Sequence, residues 1–315
     1  MPANCTGLYE GPMQRPRTVS VIIPHYGDPT PTRELIALLS ISPPHEIIVV
    51  DDHSPIPFPE TPGVMVLRRE ANGGFGSTVN VGAKKATGDL LAILNSDLAI
   101  GAGFVTALAK AAEPWQPCVA GPRIMDNSGA LAPTARRWPT VAHQTAEWLT
   151  PLARWRDTPW WHERVGHDQP AVASGTPIAV DWLVGAALLI PAVDFQAVGG
   201  FDERFYMNSE EIDLQRRLME RGLARVLLPG VTVVHSSGGS SDATKRRSWL
   251  VDSRLTYAAK WGSSVPLRVA LGVATGVNFG WNAVRRLRNS AVHPVTEAKA
   301  EWALLTGRSA RGHKP

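Results

Sequence analysis

Cysteine is nearly absent: Cys5 and Cys118 are the only two in 315 residues and lie too far apart to form a pair motif. A disulfide scaffold and a zinc ribbon are thereby excluded as expectations, and a reducing compartment fits best. Charge is sparse as well, 19% against 44% apolar residues, the balance of a folded chain rather than a disordered one. The first twenty residues, MPANCTGLYEGPMQRPRTVS, lack the apolar core of a secretory leader, so a cytoplasmic location is expected. Long apolar runs are missing too. The longest, 265–284, holds Arg268, several glycines and Asn278, and sits at the edge of spanning length. It reads either as an interfacial helix with a basic flank at 285–288 or as a helix packed on its own domain. No internal repeat is found.

What the sequence does have is an alternation of apolar runs and helical spacing. Val19-Ser20-Val21-Ile22-Ile23-Pro24 predicts a buried strand ending at His25-Tyr26-Gly27, and 31–40 has leucines at helical intervals. Glu46 to Asp52 predicts a second strand, 55–62 a proline-rich loop, and 64–67 a third strand. A helix follows Asn72-Gly73-Gly74-Phe75-Gly76 and runs to Lys85, and Leu90–Leu94 predicts a fourth strand stopped by Asn95-Ser96-Asp97. Strand and helix alternating at this spacing imply an α/β fold with a mostly parallel sheet, with ligands beyond the C-terminal strand ends. The second half differs, with a tryptophan-rich insertion over 138–170, an apolar run from Trp182 to Ile190, and a strand at 231–235.

Chemistry concentrates in three places. Asp51-Asp52 and Asp97 fall at strand ends, where a carboxylate can hold a hard cation or accept from a base or ribose; each is equally readable as a turn residue. Residues 201–214 pack acids before a helix, where a carboxylate can serve as a base; Asn208 and Glu211 also stand at capping-box spacing, and Asp213 could simply pair with Arg216 or Arg217 on the surface. His235 ends a strand, a position compatible with a metal site beside Asp97 as well as with a structural role. Gly74-Phe75-Gly76 fails the dinucleotide fingerprint because Val79 stands at the third glycine position, which counts against a dehydrogenase. Basic runs at Lys245-Arg246-Arg247 and Arg285–Arg288 suit phosphate-bearing partners, or form a solvated face. A non-catalytic phosphate- or lipid-binding protein would account for these runs but not for the strand-end acids.

Taken together, VSVIIPHYG, IIVVDDHS, NGGFGSTVNVGAKKATGDLLAILNSD, VGAALLIPAVDFQAVGGFDERFYMNSEEIDL and VVHSSGG resemble the family-2 glycosyltransferases of GT-A fold, from about Val19 to Gly262. The resemblance implies a tail over 1–18, a GT-A domain over 19–262 (a nucleotide-binding half to 122, an acceptor half from 123), and a basic, amphipathic helical extension over 263–315. It implies an enzyme that inverts the anomeric centre of a sugar taken from a nucleotide diphosphate. Pro24, Tyr26, Asp52, Asn72, Gly74, Asn95 and Ser96 would then line the donor nucleotide. Asp97 and His235 would hold a divalent metal, Mg or Mn. Glu211 aligns with the base, with Glu210 and Asp213 as neighbours able to share the role. Arg136 and Arg137 are candidates for phosphates. The segments 121–139 and 199–207 are most similar to bacterial cell-envelope rhamnosyltransferases, which implies dTDP-rhamnose and a lipid-linked or glycan acceptor at the inner face of the membrane. Galactofuranosyl and N-acetylhexosaminyl transfer from a UDP-sugar run on the same frame. Nucleic acid is not an expected partner, and homo-oligomerisation is left open.

Overall fold

The computed structural model describes residues 17–235 and 243–307. Most of the expected tail, Cys5 and the Ser236–Gly239 segment lie outside the described residues. The first half follows the sequence pattern: β1 (Val19–His25), α1 (Thr30–Leu39), β2 (Glu46–Asp51), β3 (Met65–Arg68), α2 (Phe75–Ala83) and β4 (Leu90–Leu94). β1 pairs in parallel with β2 and with β4, and β2 with β3. Alternate residues supply the two faces of the sheet. Val21, Ile23, Val49 and Leu94 pack with Leu35, Ile36 and Leu39 of α1 on one side. Ile22, Leu91 and Ile93 pack with Val79 and Ala83 of α2 on the other. Such strands are apolar throughout because both faces are covered.

After β5 (Leu98–Ala99) and α3 (Phe104–Ala112), β6 (Cys118–Met125) returns to the sheet, and β7 (Ala135–Arg136) leaves it. The tryptophan-rich insertion folds into α4 (Val141–Trp148), a 3-10 turn at Thr150–Trp155, α5 (Pro159–Arg164) and α6 (Gln169–Ala173). The apolar run from Trp182 resolves into two strands. β8 (Ile178–Ala179) precedes β9 (Trp182–Leu183), which pairs antiparallel with β7; β10 (Ala187–Pro191) enters the main sheet, followed by α7 (Ala192–Ala197). Then come α8 (Glu210–Glu220), β11 (Ala224–His235), α9 (Ala243–Lys260), α10 (Ser264–Arg286) and α11 (Pro294–Leu305). The main sheet runs β3-β2-β1-β4-β10-β6-β11-β5, with β8 on β11. Its parallel part is the first half plus β6 and β11; β10 is antiparallel to both its neighbours, so the whole is mixed.

Chain order reverses between β1 and β4, where an open α/β sheet leaves a crevice. The β1–β4 ladder stops at Ile22↔Ile93 while β1–β2 continues to His25↔Asp51, so Pro24, which has no N–H to donate, costs the β4 side nothing.

The apolar stretch at 265–284 forms a helix packed on its own domain, the second of its two readings. One face of α10 shares a core with α4 and α9 through Leu267, Leu271, Ala274, Trp148, Val251 and Leu255. Asn278, which interrupts the run, is buried there: its amide donates to Trp148 O at 3.0 Å and accepts from Thr150 N at 2.7 Å. The opposite face leaves Val265, Val269, Val273 and Val277 exposed. Among the described residues no helix is long and apolar enough to cross a membrane.

Candidate active site

The strand ends of β1, β2 and β4 form one edge, and the chain brings its functional residues to it from several directions. Asp51 and Asp52 end β2 with different duties. Asp51 is buried, accepting from Ser54 N at 2.8 Å, Phe58 N at 3.0 Å and the Arg68 guanidinium. Burial works to raise its carboxyl, but these donors outweigh burial and hold it below the usual range. Asp51 is therefore a structural anchor for the 54–58 loop. Asp52 points the other way, into the Gly73–Gly74 turn, accepting from Gly73 N and Gly74 N, each at 2.9 Å, and from Arg69 at 2.8 Å.

That turn is shaped by close approach. Gly74 has φ +84°, and a Cβ there would lie 1.9 Å from the carbonyl oxygen of Tyr206. The Tyr206 hydroxyl donates to Asn72 Oδ1 at 2.9 Å. Burial, then the Asp52 carboxylate and Tyr26, push the Tyr206 phenol up to about 12. Tyr26 is 47% exposed. Tyr26, Asp52, Asn72, Gly74 and Tyr206 thus gather on one side of the crevice. Tyr206 was visible only inside the GGFDERFYM segment and carried no separate signal in the sequence.

β4 delivers Asn95, Ser96 and Asp97, and β11 delivers His235 opposite Leu98 of β5. His235 Nε2 lies 3.1 Å from Asp97 Oδ1 and 3.3 Å from Asn95 Nδ2. Nε2 cannot donate to Asp97 and accept from the Asn95 amide at the same time, and Asn95 Oδ1 is buried without a partner. Burial works to raise the Asp97 carboxyl, but the hydrogen bond and charge of His235 outweigh it and hold it low. The Asp97 carboxylate beside the His235 imidazole offers an oxygen and a nitrogen of the kind that Mg or Mn accepts. Among the described residues no three His, Cys, Asp or Glu side chains converge on a metal position, so the remaining ligands would be substrate or water oxygens.

β10 begins beside the end of β4, with Asn95 N donating to Ala186 O at 2.8 Å. Gly185 just before it meets Glu211, whose Cβ would stand 3.2 Å from a Cβ placed on the glycine. The approach is fixed by Gln215 one turn along α8: its amide accepts from Leu183 N at 2.8 Å and donates to Leu183 O at 2.7 Å. The expected capping box at Asn208 and Glu211 does not form. Asn208 and Ser209 have φ +69° and +62°, and the helix starts at Ser209 with no side-chain cap, because capping needs an extended residue there. Two successive non-glycine residues in the left-handed region store strain where the acids begin, a feature that gathers at functional sites.

Glu210 is 4% exposed and Glu211 partly open, and each keeps an Oε2 without a partner. Burial raises both carboxyls; the Glu211 charge raises Glu210 further, while Arg136 draws Glu211 back down. Asp213 is not available to share the work of Glu211. It is fully buried and accepts from Arg217 at 2.8 Å, Lys260 at 2.6 Å and Trp261 at 3.1 Å. The surface pair expected with Arg217 is an interior one.

Residues 20–152 match the family model described as glycosyl transferase family 2. The chain carries a family-2 glycosyltransferase domain. The chain is 29% identical over 237 residues to an N-acetylglucosaminyl-diphospho-decaprenol L-rhamnosyltransferase of Mycobacterium tuberculosis, covering 70% of this chain and 75% of the relative. It is 32% identical over 83 residues to the rhamnosyltransferase WbbL of Escherichia coli, covering 26% of this chain and 31% of that one. Among solved structures, S. aureus TarS 1-349 overlays with a TM-score of 0.49 at 13% identity over 92% of each chain.

On the far side of Glu211 this glycosyltransferase builds an aromatic wall that the sequence did not announce. Trp182, Phe205, Ile212 and Tyr257 cluster with Trp138 and Trp261. Arg136 on β7 lies over Trp182, 5.7 Å from its ring centre, and donates through Nε to Pro133 O at 2.9 Å. Its neighbour Arg137 turns away, half exposed, toward Asp168 at 3.5 Å. The two arginines named as phosphate candidates thus face different surroundings. Of the basic run on α9, Arg247 is drawn to Glu301 at 3.4 Å and over Trp148, so it ties helices together.

Proposed function

We propose that this enzyme inverts an anomeric centre in one displacement, moving L-rhamnose from a dTDP-linked donor to a lipid-linked diphosphate sugar of the cell envelope. The observation that carries the chemistry is Glu211, a carboxylate wedged against Gly185 with a buried, unpartnered oxygen, at the same sheet edge as Asp97 and His235. The relatives' rhamnosyl transfer supports the choice of sugar.

In this reading Asp52, Tyr206 and the Gly73–Gly74 turn shape the nucleotide pocket, and Asp97, Asn95 and His235 hold Mg or Mn. The metal, when bound, neutralises the diphosphate leaving group. Glu211 accepts the proton of the acceptor hydroxyl as that oxygen attacks the anomeric carbon from the face opposite the nucleotide. Burial raises the carboxyls of the Glu210–Glu211 pair, the direction a base needs, and the Arg136 charge favours the ionised form of Glu211. The exposed valines of α10, with Val295 and Trp302 of α11 and the arginines at 285–288, support peripheral contact with the inner face of the membrane.

Calorimetric titration with dTDP-rhamnose and with UDP-sugars, each with and without manganese, tests the donor. Manganese-dependent binding of dTDP-rhamnose is the expected result. Binding of a UDP-sugar instead would move the assignment to galactofuranosyl or N-acetylhexosaminyl transfer, and donor binding equal in EDTA would refute the metal.

A further inference from the structure

Arg136 is a half-buried guanidinium with no carboxylate within ion-pair distance among the described residues. It sits largely enclosed on β7, at a bridge to His167 and in register with Trp182 of β9. Burial lowers its pKa, the direction expected for a cation without an adequate counter-charge. The carboxylates that stabilise it, Glu147 of α4 and Glu211, both stand beyond ion-pair distance, and among the described residues its terminal nitrogens donate to nothing. Glu147 is already held by Arg254 of α9 at 2.5 Å, and Arg254 in turn repels Arg136. A guanidinium drawn out of water is disfavoured unless something pairs with it. Here two arginines from separate elements face one region, Nε of one is anchored, and its planar fork is left open beside the base.

We infer that Arg136, backed by Arg254, is the receptor for a phosphate group of the acceptor. This rests on the glycosyltransferase reading of Glu211 and specifies the acceptor as anionic close to the attacking sugar. The donor's phosphates have a separate place at Asp97 and His235, on β4 and β11; Trp182, Glu147 and Arg254 around Arg136 share no element with it. A guanidinium fork takes two oxygens of a phosphate side by side, which fixes orientation as well as charge. The Trp182 ring, its centre 5.7 Å from the guanidinium, helps hold the fork in place. The acceptor's phosphate then sets the distance between its sugar hydroxyl and Glu211, so Arg136 is a specificity residue rather than a base.

The test is equilibrium binding of decyl diphosphate and of inorganic pyrophosphate to the full chain in EDTA, where a metal-held diphosphate at Asp97 cannot form. Wild type, Arg136→Gln, Arg136→Lys and Asp97→Ala are compared, with melting curves to confirm folding. One equivalent should bind to wild type and to Asp97→Ala. Affinity should fall at least ten-fold in Arg136→Gln and recover in part in Arg136→Lys, whose point charge lacks the fork. Tighter binding of decyl diphosphate than of pyrophosphate assigns the site to a lipid-borne phosphate; equal binding assigns it to the phosphate alone. Absence of binding to wild type, or equal binding to Arg136→Gln, overturns the inference. Donor titration with manganese reads the underlying function separately: a donor bound normally alongside no diphosphate binding sinks this inference alone.

Discussion

Replacing Glu211 by glutamine removes a charge and a proton acceptor while keeping the side chain's shape against Gly185. A positioned general base contributes roughly a factor of 10²–10⁴ to rate, or about 3–5 kcal/mol of barrier. Transfer should fall by that factor, in kcat rather than in donor affinity, because Asp52, Asn95, Asp97 and His235 are untouched. The structure adds a second signature. The Glu210 and Glu211 carboxyls are both raised by burial, so the fold prefers them neutral. Stability from such groups is fully present below their unfolded pKa and is lost as pH rises through the folded value. The glutamine variant escapes that loss. It should melt at the same temperature as wild type near pH 4 and higher than wild type at pH 8. Radiochemical transfer, donor calorimetry and melting curves at the two pH values check all three parts. Retained transfer, or loss of donor binding in a folded variant, would refute the assignment of Glu211 as base.

Other perturbations reach other parts of the site. Asp97→Ala should abolish the manganese-dependent part of donor binding; unchanged donor affinity by calorimetry would remove Asp97 from the metal. Gly74→Ala puts a Cβ where the Tyr206 carbonyl already lies, and combines overpacking with a left-handed φ, at a cost of roughly 2–6 kcal/mol. Its melting temperature should drop by roughly 3–9 °C, and a drop below about 1 °C would mean the loops separate freely. Val269→Glu with Val273→Glu alters exposed positions only, so melting should be unaffected while co-sedimentation with anionic vesicles is lost. Undiminished sedimentation would free α10 of that role.

The parallel half of the sheet was legible because a continuous β-branched run stopped by acids fits a strand buried on both faces and little else. Asp97 and His235, 138 positions apart, were paired from the motif resemblance, and β11 does bring them to 3.1 Å. What stayed hidden depends on meetings across the chain. Nothing local distinguishes Asp51, tied into its own loop, from Asp52, turned to the glycines. The capping box at Asn208 and Glu211 failed because the backbone there is left-handed, which sequence spacing does not encode. Asp213 read as a surface acid because Lys260 and Trp261 are nearly fifty residues away. Arg136 and Arg137 looked equivalent until β7 pairing sent one inward and the other out.

Gly74 under the Tyr206 carbonyl and Tyr206 on Asn72 are joined by a third link, the Asn80 amide, which accepts from Phe201 N at 2.8 Å and donates to Phe201 O at 2.9 Å. The segment 72–80 of the first half and 201–206 of the second are consequently one mechanical piece, and α8 with Glu211 starts four residues further on. A nucleotide that stiffens the glycine turn stiffens the approach to the base as well. A ligand held at the glycine turn would therefore be felt at Glu211, so the two ends of the site are not independent.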